Sequence, residues 1–173
     1  GACAIDAEKR VVCWQKREPP FRLEALPPAE GGARVVALSS KAEQEACMVT
    51  VAGHVYCVDD VRPGGPAPVR VEGIEGAVDV SVTTDHDCAV TALGKVHCWG
   101  SGEAGQLGQG KAEGSKQPVL AALDDAVEVA VWDQLSCARL KSGRLSCWGR
   151  TTLGKDSNVP RLVDGIERAI SLG

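Results

Sequence analysis

The chain has 173 residues, enough to bury a substantial core, and carries a net charge of −4 with no basic run beyond Glu8-Lys9-Arg10 or Lys16-Arg17, which excludes the electrostatic footprint of a DNA-binding surface. No apolar stretch approaches the ~20 residues of a membrane-spanning helix, and no signal-peptide pattern is visible, so the start at Gly1 reads as a processed product or an excised segment. With 3% aromatic residues and 20 glycines, the composition suits tight turns between short strands and leaves little room for helix.

In chain order, the first recognisable unit is Cys3 to Cys13, with Val11 two residues before the second cysteine, Trp14 after it and Phe21-Arg22-Leu23 as a weak further strand. The run Arg34-Val35-Val36-Ala37-Leu38 then alternates like a strand. It is followed by a mildly helical stretch, Ser40 to Glu45, read as a one-turn helix or an irregular loop. Cys47 and Cys57 frame the second unit, with Gly53 and Val55 between them, Val58 in place of the tryptophan, and a Pro-led strand at Pro68-Val69-Arg70-Val71. The third unit opens on Ala77-Val78-Asp79-Val80-Ser81-Val82 and runs through Cys88, Gly94, Val96, Cys98 and Trp99 to Gly105-Gln106-Leu107-Gly108 and Pro118-Val119-Leu120. The fourth opens on Ala126-Val127-Glu128-Val129-Ala130-Val131 and repeats the frame at Cys137, Gly143, Leu145, Cys147 and Trp148, closing on Pro160-Arg161-Leu162-Val163.

Each unit therefore holds four short strand candidates in roughly 45 residues, the signature of a propeller blade. Repeats span about 1–33, 34–76, 77–125 and 126–167 of a single domain, 1–173. Residues 165–173 align with 73–81, so 168–173 read as a leading strand that completes the first blade within the same chain. The expectation is an all-β propeller of four short four-stranded blades with its terminal strand closing the first.

Within each unit the cysteines flank a three-residue loop whose last position is Gly53, Gly94 or Gly143, with Lys9 in the first copy. Glycine there suits the left-handed turn that such hairpins need. Counting outward from the loop pairs Cys88 with Cys98 at a non-hydrogen-bonded position, where side chains approach most closely. The same register predicts Cys3–Cys13, Cys47–Cys57, Cys88–Cys98 and Cys137–Cys147 disulfides. Each closes a small loop, for about 2.5 to 3 kcal/mol by chain entropy. Reduced cysteines packed as small hydrophobes would need four coincidences of register. All eight cysteines used in pairs point to an oxidising compartment: extracellular, cell-surface or periplasmic.

The residues His86, Cys88, Ala89, Val90, Gly94, Val96, Cys98, Trp99 and Gly100, followed by Gly105, Gln106, Leu107, Gly108 and Gly110, form a pattern that resembles the repeat of the regulator of chromosome condensation family. The resemblance extends in the fourth copy to Cys147-Trp148-Gly149 and Leu153-Gly154, and it is weaker in the first two. It implies a β-propeller. Familiar members have seven blades, whereas this chain holds four copies.

No chemistry-bearing motif rivals the repeat. His86, Cys88, His97 and Cys98 cluster in sequence, but alternation puts His97 on the face opposite Cys98 and the short paired-cysteine element of a zinc site is missing, so no metal or cofactor is expected. Asp85, His86, Asp87 and Ser136 are acid, base and nucleophile types that nothing in the sequence gathers into one cleft, and no P-loop, dinucleotide or zinc-protease motif occurs. His54 reads as a solvated turn residue, His86 as a structural loop residue, and Trp14, Trp99 and Trp148 as inter-blade packing. Trp132 has no aromatic counterpart in the other copies. With Asp133, Asp85 and His86 it marks the loops proposed to bind.

The reading is a non-catalytic, secreted or surface-displayed interaction module with a protein partner, no nucleic acid and no membrane insertion, a monomer whose open blade edges could associate. The rivals are an extracellular lyase or hydrolase with its site on the central face, and an inhibitor of an extracellular enzyme.

Overall fold

Fifteen strands make up the regular structure of the computed structural model, which describes residues 2–15, 19–23, 35–41, 45–150 and 156–172. No helix occurs among the described residues. The first sheet holds β1 (Ala2–Ile5), β2 (Val11–Trp14) and β3 (Phe21–Arg22). The second holds β4 (Val35–Lys41), β5 (Glu45–Thr50), β6 (Val55–Val58) and β7 (Val69–Arg70). The third holds β8 (Ala77–Val82), β9 (His86–Thr91), β10 (Val96–Gly100) and β11 (Ser115–Leu120). The fourth holds β12 (Ala126–Trp132), β13 (Leu135–Leu140), β14 (Leu145–Gly149) and β15 (Ser157–Leu162). Every sheet is an antiparallel meander in chain order, so each is one propeller blade.

The helical candidate at 40–45 does not form in its described part: Ser40 and Lys41 extend β4 and Glu45 opens β5, while 42–44 lie outside the described residues, as do Leu153-Gly154. Val35 and Val36 open β4, and β-branched residues favour extended backbone over a turn of helix.

The hairpin register is the one read from the sequence. Cys3 faces Cys13, Cys47 faces Cys57, Cys88 faces Cys98 and Cys137 faces Cys147, and all four pairs are disulfides with Cα–Cα distances of 4.0 to 4.1 Å. That spacing belongs to the narrow, non-hydrogen-bonded pair. At each turn the predicted position is left-handed: Lys9 at φ 66°, Gly53 at 79°, Gly94 at 81° and Gly143 at 83°.

Those turns also join the blades. The carbonyl of the left-handed residue accepts the N–H that opens the next leading strand: Val35 to Lys9 at 2.8 Å, Ala77 to Gly53 at 2.9 Å, Ala126 to Gly94 at 3.1 Å and Ala169 to Gly143 at 2.9 Å. A bulge follows at the same place in β4, β8 and β12. Beyond it Asp79 Oδ2 accepts from Val129 N at 3.1 Å and Glu128 Oε1 from Leu172 N at 2.9 Å, so side chains of one leading strand cap backbone donors of the next.

The tail thus corrects the expected closure. Residues 169–172 form no ladder with Ala2–Ile5; they are held by Gly143 and Glu128 of the fourth blade, as earlier leading strands are held by the blade before them. The reason is local. The turn carbonyl and the acidic cap are the first partners the chain meets after residue 168.

The core lies in the seams between sheets. Val11, Met48 and Tyr56 fill the first seam, Val49, Ile74 and Val80 the second, and Val90, Leu107 and Trp148 the third. Each blade buries its apolar face only against a neighbour, which is the energetic logic of a repeat array.

A Cβ on Gly94 would lie 2.9 Å from both the Cα and the N of Asp125, whereas at Gly143 the nearest atom is Glu167 O at 3.2 Å. Gly94→Val therefore meets left-handed strain and a backbone clash together, and is expected to destabilise by about 2–4 kcal/mol. Gly143→Val should cost less. Thermal melts of the two variants check the order; equal midpoints would show that the seam contact adds nothing to the turn.

Candidate functional site

In blades 3 and 4 the turns that join the first two strands lie at one end of the sheets, opposite the disulfide hairpin turns. Between β8 and β9, Thr83 Oγ1 accepts from Asp85 N at 3.3 Å and from His86 N at 3.1 Å and donates to His86 O at 2.8 Å, which ties the turn to its own backbone. Between β12 and β13, Asp133 takes a left-handed φ of 42° and leaves Trp132 49% exposed. Each turn is then gripped by the strand two along: Ser101 N donates to Asp85 O at 2.7 Å and Arg150 N to Gln134 O at 2.9 Å. Lys41 Nζ crosses from blade 2 to donate to Thr84 Oγ1 at 2.7 Å. Lys41, Asp85, Trp132 and Asp133 thus lie at this end, or rim, of blades 2 to 4.

His86 is beneath this rim, 1% exposed. Its Nε2 lies 2.6 Å from Ser136 Oγ, which donates to Gln106 O at 2.8 Å; Trp148 Nε1 donates to the same carbonyl at 2.7 Å. Burial holds the imidazole's pKa down at about 4, against the Asp133 backbone and the Asp85 and Asp133 carboxylates, so the ring is neutral near pH 7. Nothing in the sequence alone brings His86 and Ser136 together, yet the seam between blades 3 and 4 does so. With Ser136 fully buried and its hydroxyl committed to Gln106, the pair joins two blades and offers no nucleophile to an external substrate.

The seam between blades 2 and 3 uses the same positions differently. Glu45 stands where His86 stands one blade later, and Asp87 where Ser136 stands. Burial, then the Glu45 charge, pushes Asp87 up to about 8, and burial followed by Asp59 raises Glu45. Asp87 is the protonated donor of this carboxyl pair; its Oδ1 accepts from Thr83 N at 3.3 Å, and Trp99 also hydrogen-bonds its carboxyl. The two carboxyls and Cys47 Sγ come together within 4.8 Å, but that sulfur belongs to a disulfide and leaves only two ligand groups. The sequence-adjacent His86, Cys88, His97 and Cys98 do not form a ligand set either, since the cysteines are bonded to each other and His86 faces Ser136.

Two placements differ from expectation. His54 is not solvated; it is part-buried, with Nε2 3.2 Å from Glu75 Oε2. Of the three tryptophans at the shared repeat position, Trp148 is 1% exposed and Trp99 packs partly against the second seam, whereas Trp14 is 43% exposed. The Glu45–Asp87 pair escaped sequence reasoning, although aligning the two residues before each leading cysteine across copies exposes it.

Residues 94–138 match the family model described as regulator of chromosome condensation (RCC1) repeat. Among solved structures, the chain is similar to yeast RCC1 (Prp20) in its complex with Kap60, at 18% identity and a TM-score of 0.73, covering 93% of this chain and 46% of that one. It is similar to Saccharomyces cerevisiae Prp20p, characterised with its binding to Gsp1p and histones, at 19% identity and a TM-score of 0.74, covering 93% and 47%. Human WBSCR16 is similar at 16% identity, with a TM-score of 0.65 and coverage of 84% and 40%. The chain spans about half the length of the yeast structures it matches.

The acid pair sets a pH dependence. A carboxyl whose folded pKa is raised from 3.8 to about 8 contributes stability that is fully present below the unfolded value and lost as pH rises through the folded one. His86, depressed from 6.5, works in the opposite sense, but only below pH 6.5. Between pH 6.5 and 8 the pair acts without that opposition, and the loss is about 2 kcal/mol, or roughly 4–8 °C in Tm. Melting curves across this window should show the decline in the parent chain and a flat response in Asp87→Asn. A parent chain as flat as the variant would contradict the shared proton.

Proposed function

For a chain that carries the regulator of chromosome condensation (RCC1) repeat on a β-propeller scaffold, we propose a non-catalytic protein-interaction module that presents the rim of Asp85, Trp132 and Asp133 to another polypeptide. The observation that carries this reading is Trp132: a large apolar side chain, half exposed, on a left-handed turn held by Arg150 and the Gln134 carbonyl. An amphipathic aromatic on rigid backbone suits an interface anchor, because little conformational entropy is lost when it is buried. Asp133 follows it in the chain, and Asp85 and Asp133 both act on His86 beneath, which favours a partner with basic residues around an apolar contact. His86 supports the rim from below and does not itself reach a partner.

Two further observations support the reading. The yeast relatives engage proteins, Kap60 in one structure and Gsp1p and histones for the other, so the scaffold type is used for protein contact. Four disulfides support the reading of an oxidising compartment, whether secreted, surface-displayed or periplasmic. No helix among the described residues is long and apolar enough to cross a membrane.

A photoreactive residue at position 132, compared with one at Leu93 on the opposite hairpin end, tests the rim. Leu93 is 83% exposed and serves as the control. Crosslinking to one polypeptide of the native extracellular milieu from position 132 alone, lost in Asp133→Lys, is the expected result. Equal capture from both positions would remove the rim from consideration.

A further inference from the structure

Two seams of this molecule are built from the same parts and filled differently. In the seam between blades 3 and 4, the link 101–114 folds back over the fourth blade. Leu107 is fully buried in the shared core, Gln106 O accepts from Trp148 Nε1, and Gly108 lies so close to the indole that a Cβ there would be 2.7 Å from that nitrogen. Trp148 is covered as a result.

In the seam between blades 2 and 3 the equivalent link, 59–68, has no Gly-Gln-Leu-Gly segment. Of its two buried residues, Val61 packs into the seam with blade 1 and Pro68 adjoins β7, and neither belongs to the apolar core that blades 2 and 3 share. A groove of about 350 Å³ remains beside Trp99, with Val58, Val69 and Val71 among its apolar lining. The register shows what it lacks. Val69 pairs with Cys57 as Val119 pairs with Cys98, but Val119 packs against its seam core whereas Val69 is 72% exposed.

We propose that this groove is a docking site for an extended segment of a partner polypeptide bearing a leucine-class side chain next to a small residue, which fills in trans the place that Leu107 and Gly108 fill one seam further on. The two tryptophans occupy the same repeat position on disulfide-bonded hairpins, so the seated segment of blade 3 is the template for the occupant. The volume accommodates one apolar side chain with its adjoining backbone. Arg70 and Lys116 at the mouth are matched by Asp59 and Glu72, which leaves no dominant charge and favours recognition by shape and apolar contact over an ionic tail. The site is distinct from the rim, and it rests on the reading of the molecule as a binding module.

The probe is a synthetic peptide with the sequence of residues 103–110, titrated into the full chain while the indole N–H signals of Trp99 and Trp148 are followed by NMR. A saturable shift at Trp99 with Trp148 unmoved is expected, with affinity reduced about tenfold or more when the peptide carries Leu107→Ser. Val69→Asp, at an exposed edge position that leaves the fold intact, should abolish the shift. No saturable shift at Trp99, or a shift indifferent to the serine peptide or to Val69→Asp, overturns the proposal. Such a failure leaves the rim untouched, because crosslinking from position 132 reports on the rim alone.

Discussion

Each blade is hung on the one before it by a backbone hydrogen bond whose acceptor is the carbonyl of a left-handed turn residue. Lys9, Gly53, Gly94 and Gly143 supply that carbonyl, and Val35, Ala77, Ala126 and Ala169 supply the N–H. The bond directs the chain out of one sheet and into the leading strand of the next, so the seams, and with them the core, depend on it. The disulfide beside each turn restrains the hairpin that presents the carbonyl. Close approach is the reason glycine recurs there, since at Gly94 a side chain would run into the backbone of Asp125. Lys9 shows that a non-glycine residue can adopt the turn and still make the bond.

With the backbone geometry repeated, the seams are free to differ in their side chains. Blades 3 and 4 are joined by a neutral network in which one peptide carbonyl, that of Gln106, receives both Ser136 and Trp148. Blades 2 and 3 lack that peptide, and a carboxyl from the strand itself takes the indole hydrogen bond instead. Two carboxyls this close in a low-dielectric seam cannot both ionise cheaply, so one keeps its proton near neutrality. The same missing segment leaves Trp99 beside an open groove. The missing link segment accounts for the accessible surface of this seam, whereas carboxyls at the repeat positions that His86 and Ser136 hold one seam further on account for its titration.

Much of this architecture was legible in the sequence because strands and hairpins obey short-range rules. Alternation in Ala77 to Val82, ten-residue cysteine spacing and a glycine six residues after Cys88 fix face, register and turn together. The destination of residues 169–172 was not legible. Their likeness to 77–80 identifies a leading strand but cannot say which neighbour will hold it, and hydrogen bonds to Gly143 and Glu128 decide that. Asp85, Asp133 and Trp132 were singled out as residues of separate loops, whereas the nearness of Asp85 and Asp133 to His86 required the packing of blade on blade. His54 was misread because its partner, Glu75, lies in the connection leading into the next blade. The Glu45–Asp87 pair is a contact between copies, visible only when two adjacent positions of the repeat are compared across a seam.

Amide hydrogen exchange tests the shared origin of the seams most directly. The amides of Ala77, Ala126 and Ala169 should exchange slowly, alongside the ladder amides of the hairpins, because each is the donor that seats a leading strand. If these three exchange as fast as the exposed turn at Leu93, the blades are not hung on their turns and the account of the fold fails.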